Sequence, residues 1–353
     1  MFLEPLLVSG SFRFILAILL ALSSGGCFAS APTPSVPAFL IVVNTSATAG
    51  LVEYSLPLTT GESPLYSLSS AGTYQGGVTA QNDLFVFGMG SGSTPTLWRY
   101  TLPLSKSPAP EAFQGFSGTP VAALSIAGGQ FVLFLERTSS GACLEGYTAG
   151  SLISASPASL PTPTLTCHTG MLKGSGTFRG GTMQLSADGS TLFVETTYNT
   201  ASSGTHTTEQ TFATGTLING SLPFPSATYT LSQALSLLPV EGGVESNNVL
   251  LLLPDPSTPA IDFYQVTTVR RGTGTLSPLT TNTVSITPTP SLLALDPFGS
   301  FVYMAAPDQT GGTPSLWGFS LTSVQNGNNV APFALTGAGL NPVALLPVLG
   351  TQG

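Results

Sequence analysis

The chain has few charged residues, and this scarcity argues against several classes of function. Asp, Glu, Lys and Arg make up 7% of its 353 residues, against roughly 25% in typical soluble proteins. There are 8 basic and 16 acidic residues, and Arg270–Arg271 is the one adjacent pair of bases. No basic patch exists to neutralise phosphates, so we expect no nucleic-acid partner. Apolar residues reach 42%, the reverse of a disordered composition.

Groups that commonly carry catalysis or bind metals are also scarce. The chain has two His, and the sequence contains no Gly-x-Ser-x-Gly elbow, His-Glu-x-x-His motif, phosphate-binding loop or Cys-x-x-Cys pair. His168 follows Cys167 directly, so the two side chains point to opposite faces of a strand. His206 lies in the polar stretch 202–208, which predicts a solvated loop. We therefore expect no metal and no cofactor.

Apolar runs long enough to span a bilayer, about 18 residues or more, are absent. The run Phe14–Leu22 follows Arg13 and has the length of a signal-peptide core. The next residues, Leu22-Ser-Ser-Gly-Gly-Cys27, resemble the lipobox of bacterial lipoproteins, in which the Cys is acylated, although Ser24 stands where that family prefers Leu. The alternative is ordinary cleavage near Ala29–Ala31.

This resemblance implies a domain order and a location. Residues 1–27 form a lipoprotein-type signal peptide, residues 28–37 a tether rich in Pro, Ser and Ala, and residues 38–353 the folded domain. Lipidation at Cys27 implies anchoring at the bacterial outer membrane or cell surface, because Phe28 rather than Asp follows it. Without the anchor, we expect a periplasmic or secreted protein. The lipid would be its only link to a membrane.

The three Cys residues support export. If Cys27 carries lipid, Cys143 and Cys167 remain as a pair. A pair in an oxidising compartment predicts a disulfide. The alternative is two buried free thiols.

The pattern Leu-x-x-Tyr/Phe recurs along the chain at steps of 46 to 65 residues. Each copy follows an apolar run that is rich in β-branched and aromatic residues. Such a period is typical of β-propeller blades, which are four-stranded antiparallel meanders. The copies are Leu51–Tyr54, Leu97–Tyr100, Leu144–Tyr147, Ile261–Tyr264 and Leu316–Phe319, with a degenerate copy at Glu209–Phe212.

Six blades can be placed on these repeats, with seven as the alternative. The apolar runs predict second strands, and the Leu-x-x-aromatic segments predict third strands. An inner strand precedes most of the second strands. The first blade lacks an inner strand, because the chain enters at Phe39 in a second strand. We therefore predict that Asn341–Pro347 supplies the missing strand and closes the ring against residues 39–74. The predicted second strands are Phe39–Val43, Leu84–Phe87, Phe131–Leu135, Leu192–Val194, Val249–Leu253 and Phe301–Met304.

Two segments resemble a known repeat. Phe178–Val194 and Asp296–Tyr303 are similar to the repeat of YncE-like and lactonase-like propellers, which runs Pro-Arg-Gly, apolar strand, Ser-Pro-Asp-Gly, Leu-Tyr-Val. The resemblance implies a propeller fold over most of residues 38–350. That family includes sugar-lactone hydrolases and also binding proteins without a known reaction, so the repeat implies no activity by itself. Its members usually have seven blades.

Charged residues at the ends of predicted strands form the candidate ligand site. Five of them follow equivalent strands, and Arg179 comes just before an inner strand. The topology therefore predicts a ring of charges on one rim, near the channel mouth. The alternative is that they are solvated loop charges. The residues are Glu136, Arg137, Arg179, Glu195, Asp255 and Asp308.

Three functions remain open at this point. The first is a lipid-anchored propeller that binds a protein or glycan in the bacterial envelope, acting as a monomer. The second is a lactonase-like hydrolase, for which Arg179 is the one anchor in the sequence. The third is a structural surface protein without a specific ligand.

Overall fold

The described part of the chain is almost entirely β-structure in this computed structural model. It belongs to one compact unit, Pro37–Gly353. No helix in the described part is long and apolar enough to cross a membrane. The described residues are 38–58, 62–107, 109–168, 172, 174–185, 189–201, 204–221, 225, 227–231, 238–241, 249–255, 260–267, 275–278, 284–285, 292–295, 297, 301–305, 316–320, 333–335 and 341–350.

The strands of the first half of the chain fall into three antiparallel groups. They are β1 (Ala38–Asn44), β2 (Leu51–Leu56), β3 (Tyr66–Leu68); β4 (Thr73–Ala80), β5 (Asp83–Met89), β6 (Pro95–Thr101), β7 (Glu111–Gln114); and β8 (Thr119–Ile126), β9 (Phe131–Thr138), β10 (Gly141–Thr148). Two 3₁₀ turns, Ser91–Ser93 and Leu104–Lys106, flank β6. Helix α1 (Ala149–Ile153) follows β10 and is capped by the Thr148 side chain, which accepts a hydrogen bond from Ser151 N.

The second half repeats the arrangement. Its strands are β11 (Ala158–Ser159), β12 (Thr177–Leu185), β13 (Thr191–Thr200), β14 (Gly204–Ala213), β15 (Ala227–Leu231), β16 (Leu238–Glu241), β17 (Val249–Asp255), β18 (Ala260–Thr267), β19 (Thr275–Pro278), β20 (Val284–Ser285), β21 (Leu292–Leu295), β22 (Phe301–Ala305), β23 (Leu316–Ser320), β24 (Phe333–Leu335) and β25 (Pro342–Leu349). The short helix α2 (Thr214–Leu217) follows β14.

In the described residues these strands pair into six separate sheets. The orders are β25-β1-β2-β3, β11-β7-β6-β5-β4, β10-β9-β8, β12-β13-β14-β15, β16-β17-β18-β19 with β20 also on β18, and β21-β22-β23-β24. Each predicted second strand pairs with the Leu-x-x-aromatic strand that follows it, as predicted. The repeated aromatics Tyr54, Tyr100, Tyr147 and Phe212 are all buried, so the pattern records packing between sheets.

The C-terminal strand pairs with the N-terminal one. β25 runs antiparallel to β1, with Leu40 opposite Pro347 and Val43 opposite Ala344. This is the pairing predicted for Asn341–Pro347. The first strands of successive sheets also contact each other in order, β4 with β8, β8 with β12, β12 with β16, β16 with β21, β21 with β25, and β25 with β4. We call these six the inner strands.

The predicted disulfide is present. Cys143 and Cys167 are bonded, with their Cα atoms 5.3 Å apart, so the free-thiol alternative is wrong. A disulfide is typical of proteins that fold in an oxidising compartment, which supports export. The strand predicted to carry Cys167 and His168 is not formed. Apart from the disulfide itself, its segment pairs with β10 through an isolated bridge between Leu165 and Gly146, because Pro161 and Pro163 have no N–H to donate to a ladder.

The apolar core lies between neighbouring sheets. Phe134 of β9 is fully buried and makes edge-on ring contacts with Phe87, Phe116 and Tyr147. The opposite face of β9 presents Leu133 and Leu135 to the sheet that begins with β12. Because side chains alternate between the two faces of β9, this strand packs against the neighbouring sheet on each side.

Candidate ligand site at the mouth of the channel

The inner strands share a local irregularity at the same level. Five of them contain one extra residue that has no partner on the neighbouring strand, as shown by shifts of register in the pairs β4–β5, β8–β9, β12–β13, β16–β17 and β25–β1. Such an insertion is a β-bulge, which re-aims a side chain and often lies beside a binding site. The extra residues are Gln75, Val121, Arg179, Val240 and Val343.

Beside two of the bulges the inner strands approach other groups closely, and glycine is required there. A Cβ on Gly76 would lie 2.3 Å from the Phe87 ring, and a Cβ on Gly181 would lie 2.2 Å from the Glu195 carbonyl oxygen. Neither contact is possible for a real side chain. The glycines therefore allow β4 and β12 to pack against their partner strands directly below the bulges.

Four of the bulge residues, Gln75, Val121, Arg179 and Val343, line an open cavity of about 470 Å³, which we call the mouth. Its wall combines an amide, two cations, small hydroxyls and two valines. The lining residues are Thr45, Thr73, Tyr74, Gln75, Thr119, Pro120, Val121, Arg137, Arg179, Gly180, Gly181 and Val343. Most of these residues belong to the first few positions of the inner strands. The mouth is therefore one end of the space that these strands enclose.

Arg137 and Arg179 both line the mouth. Arg137 near the end of β9 donates from Nη2 to the carbonyl oxygen of Arg179, and its guanidinium carbon lies 5.9 Å from the centre of the buried Phe178 ring. Both arginines are exposed. Among the described residues, the one side-chain ion pair is Arg99–Glu111, away from this wall. The mouth therefore carries positive charge in a chain whose net charge is −8.

A second cavity of about 360 Å³ continues from the mouth, which we call the channel. The two share Gln75, Val121, Gly181 and Val343 in their walls. Below them the walls are mainly apolar, with Thr182 and Gln184 as polar side chains, and the described lining contains no ionisable side chain. The deeper lining residues are Gly76, Gly77, Phe87, Ala122, Ala123, Leu124, Thr182, Met183, Gln184, Leu292, Ala294, Ala344, Leu345 and Leu346.

Beside the mouth, two carboxyl groups are buried together. Glu136 is 0% and Glu145 1% exposed. Gly118 N donates to Glu136 Oε2 at 2.6 Å, whereas Ser117 and Tyr147 donate to the two oxygens of Glu145. Among the described groups, none bonds to Glu136 Oε1.

Burial and the neighbouring Glu145 carboxylate raise the pKa of Glu136 to about 8. Glu136 is then protonated at neutral pH, and a proton on Oε1 gives that oxygen a role as donor towards Glu145. A neutral Glu136 leaves the positive charge of the adjacent Arg137 uncancelled.

A second pair of acids lies on the next sheet. Glu195 of β13 stands directly opposite Glu209 of β14, and both are buried. Burial raises the pKa of Glu209 to about 7, so this side chain is also substantially protonated near neutral pH.

Of the six residues predicted to form a rim of charge, four have described side chains, and these lie in two environments. Arg137 and Arg179 meet at the mouth, whereas Glu136 and Glu195 are buried between strands. Adjacent residues of a strand face opposite sides, which separates Glu136 from Arg137. Asp255 is the last residue of β17, its side chain being outside the described structure, and Asp308 lies outside the described residues.

The sequence-based prediction missed the other bulge residues of the mouth. Gln75, Val121 and Val343 carry no charge, so a search for chemistry passed over them. A signal was present, because a Pro or aromatic residue precedes each bulge and a small residue usually follows it. The copies are Tyr74-Gln75-Gly76, Pro120-Val121-Ala122, Phe178-Arg179-Gly180, Pro239-Val240-Glu241 and Pro342-Val343-Ala344.

The histidines do not join this site. His206 lies in β14 opposite Tyr198, so the predicted polar loop is wrong for residues 204–208, and residues 202 and 203 lie outside the described structure. β13 and β14 extend further than their apolar centres indicate. His168 is exposed beside the disulfide. Within the described part of the chain, no three His, Cys, Asp or Glu side chains gather as a metal site would require.

No protein-family model and no curated protein matches this chain. Among solved structures it is similar to the periplasmic gluconolactonase PpgL of Pseudomonas aeruginosa, with a TM-score of 0.50 and 15% identity over 88% of this chain and 99% of that one. A proposed 6-phosphogluconolactonase from Bacteroides fragilis gives a TM-score of 0.52 and 10% identity, covering 90% and 99%. A chain of the Nidogen/Laminin complex gives 0.53 and 10%, covering 89% and 100%.

These likenesses show the fold. The chain is an all-β protein of the propeller type, and its predicted resemblance to lactonase-like propellers is confirmed at that level. One fold carries hydrolases and binding proteins alike, so the function has to be argued from the mouth itself.

Proposed function

We propose that this protein is an exported binding module of the bacterial envelope, and that its ligand presents a negatively charged group to the mouth. The observation that carries the proposal is the meeting of Arg137 and Arg179 at the end of the inner strands. Guanidinium groups bind carboxylates and phosphates in a bidentate, charge-assisted manner. Gln75 and the threonine hydroxyls of the wall supply further hydrogen bonds.

The architecture that we propose is one six-bladed propeller with a closed ring. Three observations support it: the six sheets, the contacts that pass from each inner strand to the next, and the pairing of β25 with β1. Such closure would protect the edges of the inner strands from pairing with other chains. It would also hold the bulge residues at one level around the mouth.

Binding fits the mouth better than hydrolysis does. A hydrolase needs a nucleophile or an activated water with a base in reach. The described lining offers threonine hydroxyls but neither His nor carboxylate, and Glu136 is buried and hydrogen-bonded to Gly118. The lactonase alternative is supported by the likeness to PpgL and by Arg179 in the mouth. Under the third alternative, a structural surface protein, the two arginines would bind nothing.

The carriers of the charged group that we propose are proteins or glycans of the envelope, bound by a monomer. Carboxylates occur on acidic sugars and on protein side chains, and both would meet an exposed mouth. We further propose that acylated Cys27 and the tether of residues 28–37 place the module at the outer membrane or cell surface. Metabolic labelling with an alkyne fatty acid tests this: label on the wild type that is absent from Cys27→Ser supports the anchor, and equal label on both removes it.

The test of the function compares Arg179→Gln with Lys106→Gln, which removes a cation outside the mouth. Cross-linked envelopes should yield a component that the wild type and Lys106→Gln retain and Arg179→Gln loses. A component retained by all three would mean that the mouth is not the binding site. Opening of glucono-δ-lactone above the uncatalysed rate, lost in Arg179→Gln, would favour the hydrolase instead.

A further inference from the structure

The mouth and the channel differ sharply in chemistry although they form one continuous space. Their walls share four residues. On one side of these lie Arg137 and Arg179, and on the other lie Ala122, Leu124, Met183 and Leu345. A ligand that occupies both volumes must therefore be charged at one end and apolar along the rest.

The size of the channel suits an extended chain. Its volume of about 360 Å³ falls within the range of small-molecule pockets, roughly 300–1,000 Å³. The wall of β8 from Val121 to Leu124 spans three residue steps, or about 10 Å along the strand. A sugar in the same place would leave hydroxyls without partners, because Thr182 and Gln184 are the polar side chains described below the shared level.

We propose that the mouth and channel together bind an amphipathic anion, a carboxylate attached to an alkyl chain of medium length. The carboxylate lies between Arg137 and Arg179, and the chain passes Val121 and Val343 into the channel. This inference rests on the proposed function, because it assumes that the mouth binds anions. It adds that the bound group is joined to an apolar chain.

The residues around the charged group favour this arrangement. Phe178 lies beneath the Arg137 guanidinium, and the backbone carbonyl of Arg179 accepts its Nη2 hydrogen. These contacts fix the orientation of one cation before a ligand arrives. Pre-organisation of this kind reduces the conformational entropy lost on binding.

The test is calorimetric titration of the full chain with four probes. Decanoate carries both the charge and the chain, octanoate has the same charge on a shorter chain, decanol has the chain without charge, and gluconate has the charge without an apolar chain. We expect decanoate to bind most tightly. Each added methylene should strengthen binding by up to about fourfold, the factor that corresponds to about 0.8 kcal/mol per buried CH₂.

Arg179→Gln should weaken decanoate binding about tenfold or more, whereas Lys106→Gln should bind as the wild type does. Circular dichroism of both variants checks that they fold. The comparison of decanoate with decanol measures the contribution of the carboxylate charge to binding in the wild type, so it does not depend on a variant that folds.

Each alternative result overturns a defined part of the reasoning. Equal binding of gluconate and decanoate, with no effect of chain length, would overturn the amphipathic ligand and leave an anion-binding mouth. Equal binding of decanol and decanoate would remove the role of the arginines. Failure of all three anions to bind the wild type would overturn this inference and the proposed function together.

Discussion

The buried carboxyl pair predicts that Glu136→Gln changes how stability depends on pH. In the folded protein Glu136 is inaccessible to solvent, accepts a hydrogen bond from Gly118, and faces Glu145. Glutamine has the same shape and carries no charge. Its amide oxygen can keep the bond from Gly118 while its NH₂ donates to Glu145. The variant therefore resembles the protonated glutamic acid at every pH.

The sign and size of the effect follow from the pKa of Glu136, which rises from an ordinary value of 4.5 to about 8 on folding. Below pH 4.5 Glu136 is protonated in both the folded and the unfolded protein, and its contribution to the free energy of unfolding is fully present. Between these two pKa values the unfolded chain releases the proton while the folded chain keeps it, so stability falls as the pH rises. At ~1.4 kcal/mol per pH unit, the loss from pH 5 to 8 is on the order of 3 kcal/mol.

Urea unfolding followed by tryptophan fluorescence measures this directly. At pH 5 the wild type and Glu136→Gln should have similar free energies of unfolding, and at pH 8.5 the variant should be clearly more stable. Glu209 titrates with the same sign and leaves a smaller slope in both proteins. Glu62→Gln, which removes one charge at a partly exposed position, is the control. Parallel curves for the wild type and Glu136→Gln would refute the reasoning.

Three further predictions concern the disulfide and the packing of the sheets. Replacing Cys143 and Cys167 by Ser should lower the free energy of unfolding by about 3 kcal/mol, from the loop of 24 residues that the bond closes; equal urea midpoints for oxidised and reduced wild type would contradict this. Gly181→Ala should lower the free energy of unfolding by about 1–3 kcal/mol, because its Cβ would meet the Glu195 carbonyl. Gly180→Ala is the control and should be nearly neutral, because its Cβ meets nothing within 4 Å. Similar melting temperatures for the two variants would contradict this reasoning. Phe134→Ala should cost about 3–5 kcal/mol, since three aromatic rings lose their contact with it, and a loss below 1 kcal/mol in urea unfolding would argue against this packing.

The strand order could be predicted from the sequence because each strand carries its own signal. Repeated aromatics such as Tyr54 and Tyr147 are needed between the sheets, so the same residue type returns at each repeat. The strand pairing of Asn341–Pro347 followed from counting, since one sheet lacked a first strand. The segment at Cys167 departs from the prediction because two prolines prevent a ladder there, a local effect that overrides the repeat.

The composition of the mouth was harder to predict. Whether a residue is paired or bulged depends on the register of two strands, which neither strand encodes alone. Glu136 and Arg137 show the difficulty, since both are charged and adjacent, yet one is buried and the other is exposed. The burial of Glu136 depends on Gly118 and Glu145, which meet it only after three strands have folded together.

The bulges make the mouth an easily altered part of this protein. A bulged residue has no opposite partner in the ladder, so its replacement changes the surface that a ligand meets while the paired residues above and below keep their contacts. Gln75, Val121, Arg179 and Val343 can therefore vary almost independently of one another. A scaffold of this kind allows evolution, or an engineer, to exchange one specificity for another at four positions without rebuilding the sheets that carry them.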